Sequence, residues 1–234
     1  MKYFKFSNQG KRKVNQDFIF INENPDLSIF LLADGMGGYE YGDIAAKIAV
    51  ESINTFLSNS KIIDKSNIQK AVNKANLAIR QFSEEKSEKI GCTLGGLIIF
   101  NNQCYCFWIG DVRIIHFRNN KKIFESKDHT LINQLKENGS FDDLNRIEKY
   151  RHIVTRSIQG DVKESQIDFY NTEVDLENDL FVLFTDGVHD VLESLHIQKI
   201  LNEIENEDNL IETIDALLVN SADDNNTMIA ISFL

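Results

Sequence analysis

The chain has 234 residues, of which 42% are hydrophobic and 26% are charged, and it contains one proline. This composition is typical of a folded globular protein and excludes disordered and collagen-like chains. Acidic residues outnumber basic residues 36 to 25, which gives a formal net charge of −11 and disfavours nucleic acid and anionic membrane surfaces as partners, because their phosphates would be repelled.

Signals for membrane insertion and targeting are missing from the sequence. No window has the roughly 18 consecutive apolar residues that a membrane span needs, and the N-terminal region has no apolar stretch of signal-peptide length. We therefore expect no membrane span and a cytoplasmic location. Cys92, Cys104 and Cys106 lack zinc-ligand spacing, so we expect buried, reduced cysteines rather than a metal or redox pair.

The first half of the chain alternates between strand and helix patterns. Short β-like runs occupy residues 2–6 and 18–22, and the apolar run 28–34 predicts a strand that ends on an aspartate. Apolar residues then recur at helical spacing over 45–56 and 68–82. These two segments are predicted to be amphipathic helices, each with one buried stripe.

The second half begins with strands and ends with a helix and a strand. Residues 91–126 have the pattern of an antiparallel meander with turns at two Asn-Asn pairs. Residues 128–159 are mostly polar and predict an inserted surface segment with a short helix over 130–138. An apolar strand returns at 179–186, followed by a helix over 210–218 and a closing strand. Meanders separated by helix pairs favour antiparallel sheets covered by helices over a doubly wound parallel sheet.

Aspartates stand where apolar strands end. Asp34, Asp111 and Asp186 each follow a strand, at or just before a tight turn, and Asp224 stands just before the last strand. Several carboxylates converging on one point repel each other unless a cation lies between them, and an all-oxygen set selects Mg²⁺ or Mn²⁺. Each Asp-Gly pair alone is more simply a turn, but the set favours a metal site.

The glycine-rich stretch DGMGGYEYG permits a rival interpretation as a phosphate-binding loop. A dinucleotide-binding motif would need glycine where Glu40 stands, and no Gly-Lys-Ser/Thr sequence follows for a P-loop. We expect these glycines instead to let the backbone approach a metal and a helix closely. They are Gly35, Gly37, Gly38 and Gly42.

Arg12 is a candidate for phosphate binding. It lies five residues before Asp17 in GKRKVNQD, and a guanidinium beside bound cations would clamp a phosphoryl group through two oxygens. The alternative is an ordinary surface arginine in a basic patch with Lys11 and Lys13. The sequence supports the two interpretations equally.

The chain carries eight segments that form a recognisable set between residues 10 and 230. They are GKRKVNQD, LLADGMGG followed by GDIAA, GCTLGG, WIGDVRIIHFR, KDHTLINQL, IVTRSIQGD, LFTDGVHDVL and DDNNTMIAI. In this order they resemble the PPM family, the type 2C metal-dependent serine/threonine protein phosphatases, in its compact bacterial form. The resemblance implies one catalytic domain over 1–234 with a flap segment at about 128–159. The implied fold is α+β, a four-layer α-β-β-α sandwich of two antiparallel sheets flanked by helix pairs.

The resemblance also implies a set of metal ligands. Two Mn²⁺ or Mg²⁺ ions would share Asp34, and the carbonyl group of Gly35 would bind the first ion. Asp186 and Asp224 would bind the second ion. Asp111 would help to hold a third, weaker ion.

Further roles follow from the same resemblance. Asp17 would hold metal-bound waters, Asn225 would buttress Asp224, and Arg12 would bind the substrate phosphate. Arg12, Asp34 and Asp17 therefore form the implied catalytic set. The implied reaction is in-line attack on phosphoserine or phosphothreonine in proteins by a water shared between two ions. Such an enzyme would oppose a bacterial serine/threonine kinase.

Two other functions stay open from the sequence. One is a catalytically silent relative that captures phosphoproteins, although the intact acidic set argues against it. The other is a switch phosphatase that acts on one small regulatory protein. His129, His152 and His189 are interpreted as structural or surface residues, because the implied chemistry needs no imidazole ligand.

Overall fold

A computed structural model gives the fold. The structure describes residues 1–36, 40–139, 150, 152–204, 208–219 and 221–233, so Gly37, Gly38 and much of the predicted flap lie outside the described residues. The described strands are β1 (Lys2–Asn8), β2 (Asp17–Glu23), β3 (Leu27–Gly35), β4 (Cys92–Phe100), β5 (Gln103–Ile109), β6 (Arg113–Arg118), β7 (Lys121–Glu125), β8 (Asp168–Glu173), β9 (Asp179–Phe184) and β10 (Asn226–Ser232). The described helices are α1 (Gly42–Ser58), α2 (Lys65–Lys86), α3 (Leu131–Glu137), α4 (Asp186–His189), α5 (Ser194–Glu203) and α6 (Asp208–Leu218).

These strands form two five-stranded antiparallel sheets. Sheet A has the order β1-β10-β9-β6-β7, and sheet B has the order β2-β3-β4-β5-β8. Helices α1 and α2 pack on the outer face of sheet B, and α5 and α6 pack on the outer face of sheet A. A third apolar cluster fills the space between the sheets. The predicted four-layer α-β-β-α sandwich is therefore confirmed.

Strand β3 shows how the sequence produces this layering. Leu31 and Ala33 contact the helix layer, whereas Phe30 and Leu32 contact the opposite sheet. Side chains alternate between the two faces of a strand, and both faces of this strand are covered, so the whole run is apolar. The same alternation places the side chain of Asp34 on the inner face, between the two sheets.

The prediction of one continuous meander over 91–126 is wrong in one respect. Strands β4 and β5 pair in sheet B, whereas β6 and β7 pair in sheet A, so the chain crosses between the sheets after β5. Gly110 makes this crossing with a φ of +100°, a conformation that suits glycine. The two Asn-Asn turns were predicted correctly, and all four asparagines have positive φ, as type I′ hairpin turns require.

The prediction of a surface segment over 128–159 is wrong for the two ends of this range. Asp128, His129 and Thr130 are buried, and Ile158 is fully buried and pairs with Cys92 of β4. The predicted short helix is present as α3, but the patterns of β8 and α5 were not recognised. All three cysteines are buried and unpaired in disulfides, as predicted. None of the helices in the described part of the chain is long and apolar enough to cross a membrane.

Candidate active site

A cavity of about 700 Å³ lies at one end of the sandwich, where strand β3 ends and strand β4 begins. Asp34, Asp111, Asp186 and Asp224 all line it, although they come from segments far apart in the sequence. These are the four aspartates that the sequence places beside strand ends. Gly35 and Asn225 also line the cavity, and Arg12 lies at the same site.

The β2–β3 pair carries two of the predicted site residues. Asp17 and Asp34 are opposite each other in the antiparallel register. The Asp17 carboxylate is buried, and its Oδ2 accepts a hydrogen bond of 3.0 Å from the hydroxyl group of Thr185. Its Oδ1 is also buried and has no hydrogen-bond partner among the described residues. A buried carboxylate oxygen of this kind is costly without a donor or a cation.

Asp111 and Asp186 approach the cavity from sheet A and its connections. Asp111 is buried in the crossing between β5 and β6. Asp186 begins the short helix α4, directly after strand β9. The next residue, Gly187, has no space for a side chain, because a Cβ at this position would lie 2.0 Å from the carbonyl oxygen of Asn225. The close approach brings the Asp186 and Asp224 segments together.

Arg12 and Asn225 tie the N-terminal loop to the segment before β10. The guanidinium of Arg12 donates to both carboxylate oxygens of Asp224, at 2.7 and 2.5 Å. The side-chain amide of Asn225 donates to the carbonyl groups of Gln9 and Val14, at 2.7 and 3.0 Å. It is the backbone N–H of Asn225 that contacts the Asp224 carboxylate, at 2.8 Å. The side chain of Asn225 therefore holds the loop that carries Arg12.

The electrostatics of the cavity favour a bound cation. Burial and the charges of Asp17 and Asp186 raise the pKa of Asp34 well above its ordinary value. Burial and Asp111 do the same to the pKa of Asp186, and burial raises the pKa of Asp111 to about 7. Burial also raises the pKa of Asp17 to about 6. Oxygen ligands that resist being charged together fit a hard divalent ion, which would remove the repulsion.

Sequence reasoning missed several residues of the cavity. His152 and Val154, from the predicted flap, line it, and so does Thr93 of β4. Possible ligand atoms of His152, Asp186 and Asp190 lie within 4.8 Å of one another. No local pattern in the sequence distinguishes these residues from ordinary surface or strand positions. Thr93 reaches the site because β4 pairs with β3 and places it opposite Asp34.

An acidic cavity in an α-β-β-α sandwich, with an arginine beside it, is the arrangement expected of a metal-dependent phosphatase. The sequence model of the family "Protein phosphatase 2C" matches residues 7–230. The chain belongs to this family of protein phosphatases.

Bacterial relatives support the assignment. "Protein phosphatase PhpP" of Streptococcus pneumoniae is 29% identical over 199 residues, which cover 82% of this chain and 80% of that protein. "Serine/threonine phosphatase stp" of Listeria monocytogenes is 26% identical over 202 residues, covering 81% and 78%.

Solved structures share the fold over the whole chain. The Mycobacterium tuberculosis serine/threonine phosphatase PstP/Ppp matches with a TM-score of 0.83 and 22% identity, covering 100% of this chain and 99% of that one. The catalytic domain of PstP in complex with two manganese ions matches with a TM-score of 0.79 and 23% identity, covering 98% and 96%.

Proposed function

We propose that this protein hydrolyses phosphoserine and phosphothreonine in proteins at the acidic cavity, with two Mn²⁺ or Mg²⁺ ions. The observation that carries the proposal is the convergence of Asp34, Asp111, Asp186 and Asp224 on one cavity. The Listeria relative is named a serine/threonine phosphatase, which supports the substrate class. The two manganese ions in the PstP complex support the metal.

The ligands that we propose are the four cavity aspartates and one carbonyl group. Asp34 would be shared by both ions, Gly35 would offer its carbonyl oxygen to the first, and Asp186 and Asp224 would bind the second. Asp111 would contribute to a third, weaker ion. When bound, the ions would neutralise charge at the phosphoryl group and lower the pKa of a water, so that it can lose a proton and act as the nucleophile near neutral pH.

The residues of the chain itself would bind and orient the reactants. A phosphate group can accept two parallel hydrogen bonds from Arg12, as the two carboxylate oxygens of Asp224 do in this structure. Arg12 can reach such a group because its side chain is 55% exposed at the edge of the cavity. The unpartnered Oδ1 of Asp17 would accept a hydrogen bond from a water in the site, while Thr185 holds the other oxygen of that carboxylate.

The partners that we propose follow from this chemistry. The substrates are phosphorylated proteins, and a bacterial serine/threonine kinase would produce them in the cytoplasm. The relatives described above are bacterial, in agreement with such a pairing. Residues 128–159 would act as the flap beside the cavity, since His152 and Val154 line it.

Phosphate release from a phosphothreonine peptide tests the proposal. We expect turnover with Mn²⁺, no turnover with excess EDTA, and much slower release from a phosphotyrosine peptide. Absence of turnover on several phosphopeptides and an aryl phosphate, with either Mn²⁺ or Mg²⁺, would support the silent phosphoprotein-binding alternative instead. Turnover confined to one protein would support the single-target switch.

Removal of the Arg12 side chain is expected to weaken substrate binding. Arg12→Ala should raise KM for the phosphopeptide by roughly tenfold to a hundredfold, with a smaller change in kcat, because a paired charge-assisted contact to phosphate is lost. Arg12→Lys should recover the charge but not the paired geometry, so its KM should be intermediate.

Lys11→Ala is the matched control for this experiment. Lys11 is the preceding residue, but its ammonium group pairs with Asp223 at an exposed position. We expect its KM to stay close to that of the wild type. An unchanged KM in Arg12→Ala would contradict the phosphate-binding role.

A further inference from the structure

His129, in the segment KDHTLINQL, contacts both polar backbone groups of Gly110. The Nδ1 atom of its ring accepts a hydrogen bond of 3.0 Å from the N–H of Gly110. Its own backbone N–H donates to the carbonyl oxygen of Gly110 at 2.8 Å. The imidazole is buried, and acceptance at Nδ1 identifies the neutral tautomer with its proton on Nε2.

Gly110 stands at the point where the chain crosses between the sheets. Its φ of +100° and the side chain of Thr93 leave no space for a larger residue, since a Cβ would lie 2.3 Å from the Thr93 side chain. The next residue is Asp111, which lines the cavity. The peptide unit that His129 holds therefore sets the position from which Asp111 enters the site.

The other contacts of His129 reach the predicted flap. Its carbonyl oxygen accepts hydrogen bonds from the N–H and hydroxyl groups of Thr155, at 2.7 and 3.0 Å. The neighbouring Thr130 forms a β-bridge with Val154, which lines the cavity. The Nε2 edge of the ring lies 3.3 Å from the Asp168 carboxylate. His129 thus joins the crossing between the sheets to a wall of the cavity.

We infer that His129 is a positioning residue that clamps Gly110 and thereby fixes the placement of Asp111 relative to Val154 and Thr155. The ring donates no proton to substrate and binds no ion in this role. Its contribution is the Nδ1 acceptor, which a buried N–H would otherwise lack. The part of the inference that concerns metal response rests on the function proposed for Asp111.

Two amide variants, each of which mimics the position of one ring nitrogen, separate the clamp from simple packing. His129→Asn places an amide oxygen near the position of Nδ1, whereas His129→Gln places its polar atoms near Nε2 and leaves the Gly110 N–H without an acceptor. The first readout is hydrogen exchange of the Gly110 and Asp111 amides in the metal-free protein. We expect exchange to rise roughly tenfold or more in His129→Gln, and to stay near the wild-type rate in His129→Asn.

The second readout is the response to Mn²⁺. The Mn²⁺ concentration for half-maximal turnover, and the weakest binding step in calorimetry, should shift roughly tenfold in His129→Gln and by much less in His129→Asn. His196→Gln, the same substitution at an exposed helix position, is the control and should match the wild type. Equal behaviour of the Asn and Gln variants in amide exchange would overturn the clamp.

Asp111→Asn distinguishes failure of the inference from failure of the proposed function. If this variant responds to Mn²⁺ like the wild type, the proposed role of Asp111 is wrong, and amide exchange alone decides the clamp. If Asp111→Asn shifts the Mn²⁺ response but His129→Gln changes neither readout, the clamp is wrong and the role of Asp111 stands.

Discussion

Asp34→Asn is expected to lower kcat on a phosphothreonine peptide by about 10³-fold or more, even at saturating Mn²⁺. A neutral amide cannot replace the carboxylate that both ions would share, and a loss of this size corresponds to about 4 kcal/mol of transition-state stabilisation. The phosphopeptide assay with Mn²⁺ titration measures the effect. Asp34 is the residue whose removal should reduce turnover most.

The same substitution should act in the opposite direction on the stability of the metal-free protein. The raised pKa of Asp34 means that the folded state disfavours its charge. The charged carboxylate therefore lowers the free energy of unfolding above the folded-state pKa, and this penalty disappears as the group is protonated at lower pH. An asparagine removes the penalty at neutral pH. We expect a higher melting temperature without metal and a smaller increase on adding Mn²⁺.

Asp223→Asn provides the matched control. This aspartate precedes Asp224, but its side chain is 82% exposed and pairs with Lys11. Its turnover and its stabilisation by Mn²⁺ should equal those of the wild type. Wild-type turnover in Asp34→Asn, or a metal-free form of that variant that melts earlier, would contradict the proposed site.

Gly187→Ala is expected to lower the free energy of unfolding by more than about 3 kcal/mol and to reduce kcat strongly. The new methyl group would lie 2.0 Å from the carbonyl oxygen of Asn225, and a backbone atom cannot move aside as a flexible side chain can. Relief of the overlap would separate the Asp186 segment from the Asp224 segment. Urea unfolding of the metal-free protein and phosphopeptide turnover measure the two effects.

Helix propensity alone would change the stability of Gly187→Ala in the opposite direction. Gly187 lies in α4, where alanine would otherwise be favoured over glycine by about 1 kcal/mol. Gly139→Ala is the control, since no atom of the described residues lies within 4 Å of a Cβ there and its φ of +64° is what opposes the change. That control should cost about 1 kcal/mol. A Gly187→Ala protein as stable as the wild type would show that the two segments are not closely packed.

The sequence pattern predicted antiparallel sheets covered by helices because these depend on local alternation, and the resemblance to the phosphatase family implied their four-layer order. The strand pattern around Leu31 and Leu32 and the apolar stripes of α1 and α2 are properties of neighbouring residues. Strand β8 was missed because its mixed polar residues pack on one edge of sheet B, where burial is partial. The crossing at Gly110 was not predicted, because two consecutive hairpins have the same sequence pattern whether they lie in one sheet or in two.

The candidate site was also predictable from the sequence only in part. Four aspartates stand out in the sequence because polar residues at the ends of apolar strands are conspicuous: Asp34, Asp111, Asp186 and Asp224. Arg12 was a candidate that the sequence could not separate from its basic neighbours. The neighbours of Arg12 and the partners of Asn225 could not be predicted, since these contacts join residues more than 200 positions apart. The contact between His129 and Gly110, 19 positions apart, was not predicted either, because it depends on how the segment after β7 packs against the crossing between the sheets.

The sequence by itself determined the elements, the class of fold and the aspartates that offer oxygen ligands, because each depends on residue type and local spacing. Only the tertiary structure decided that these aspartates meet in one cavity, that Arg12 pairs with Asp224, and that His129 holds the crossing between the sheets. Those facts depend on how the two sheets pack and on the register of their strands. Both are set by the sum of many long-range contacts rather than by any segment of the chain.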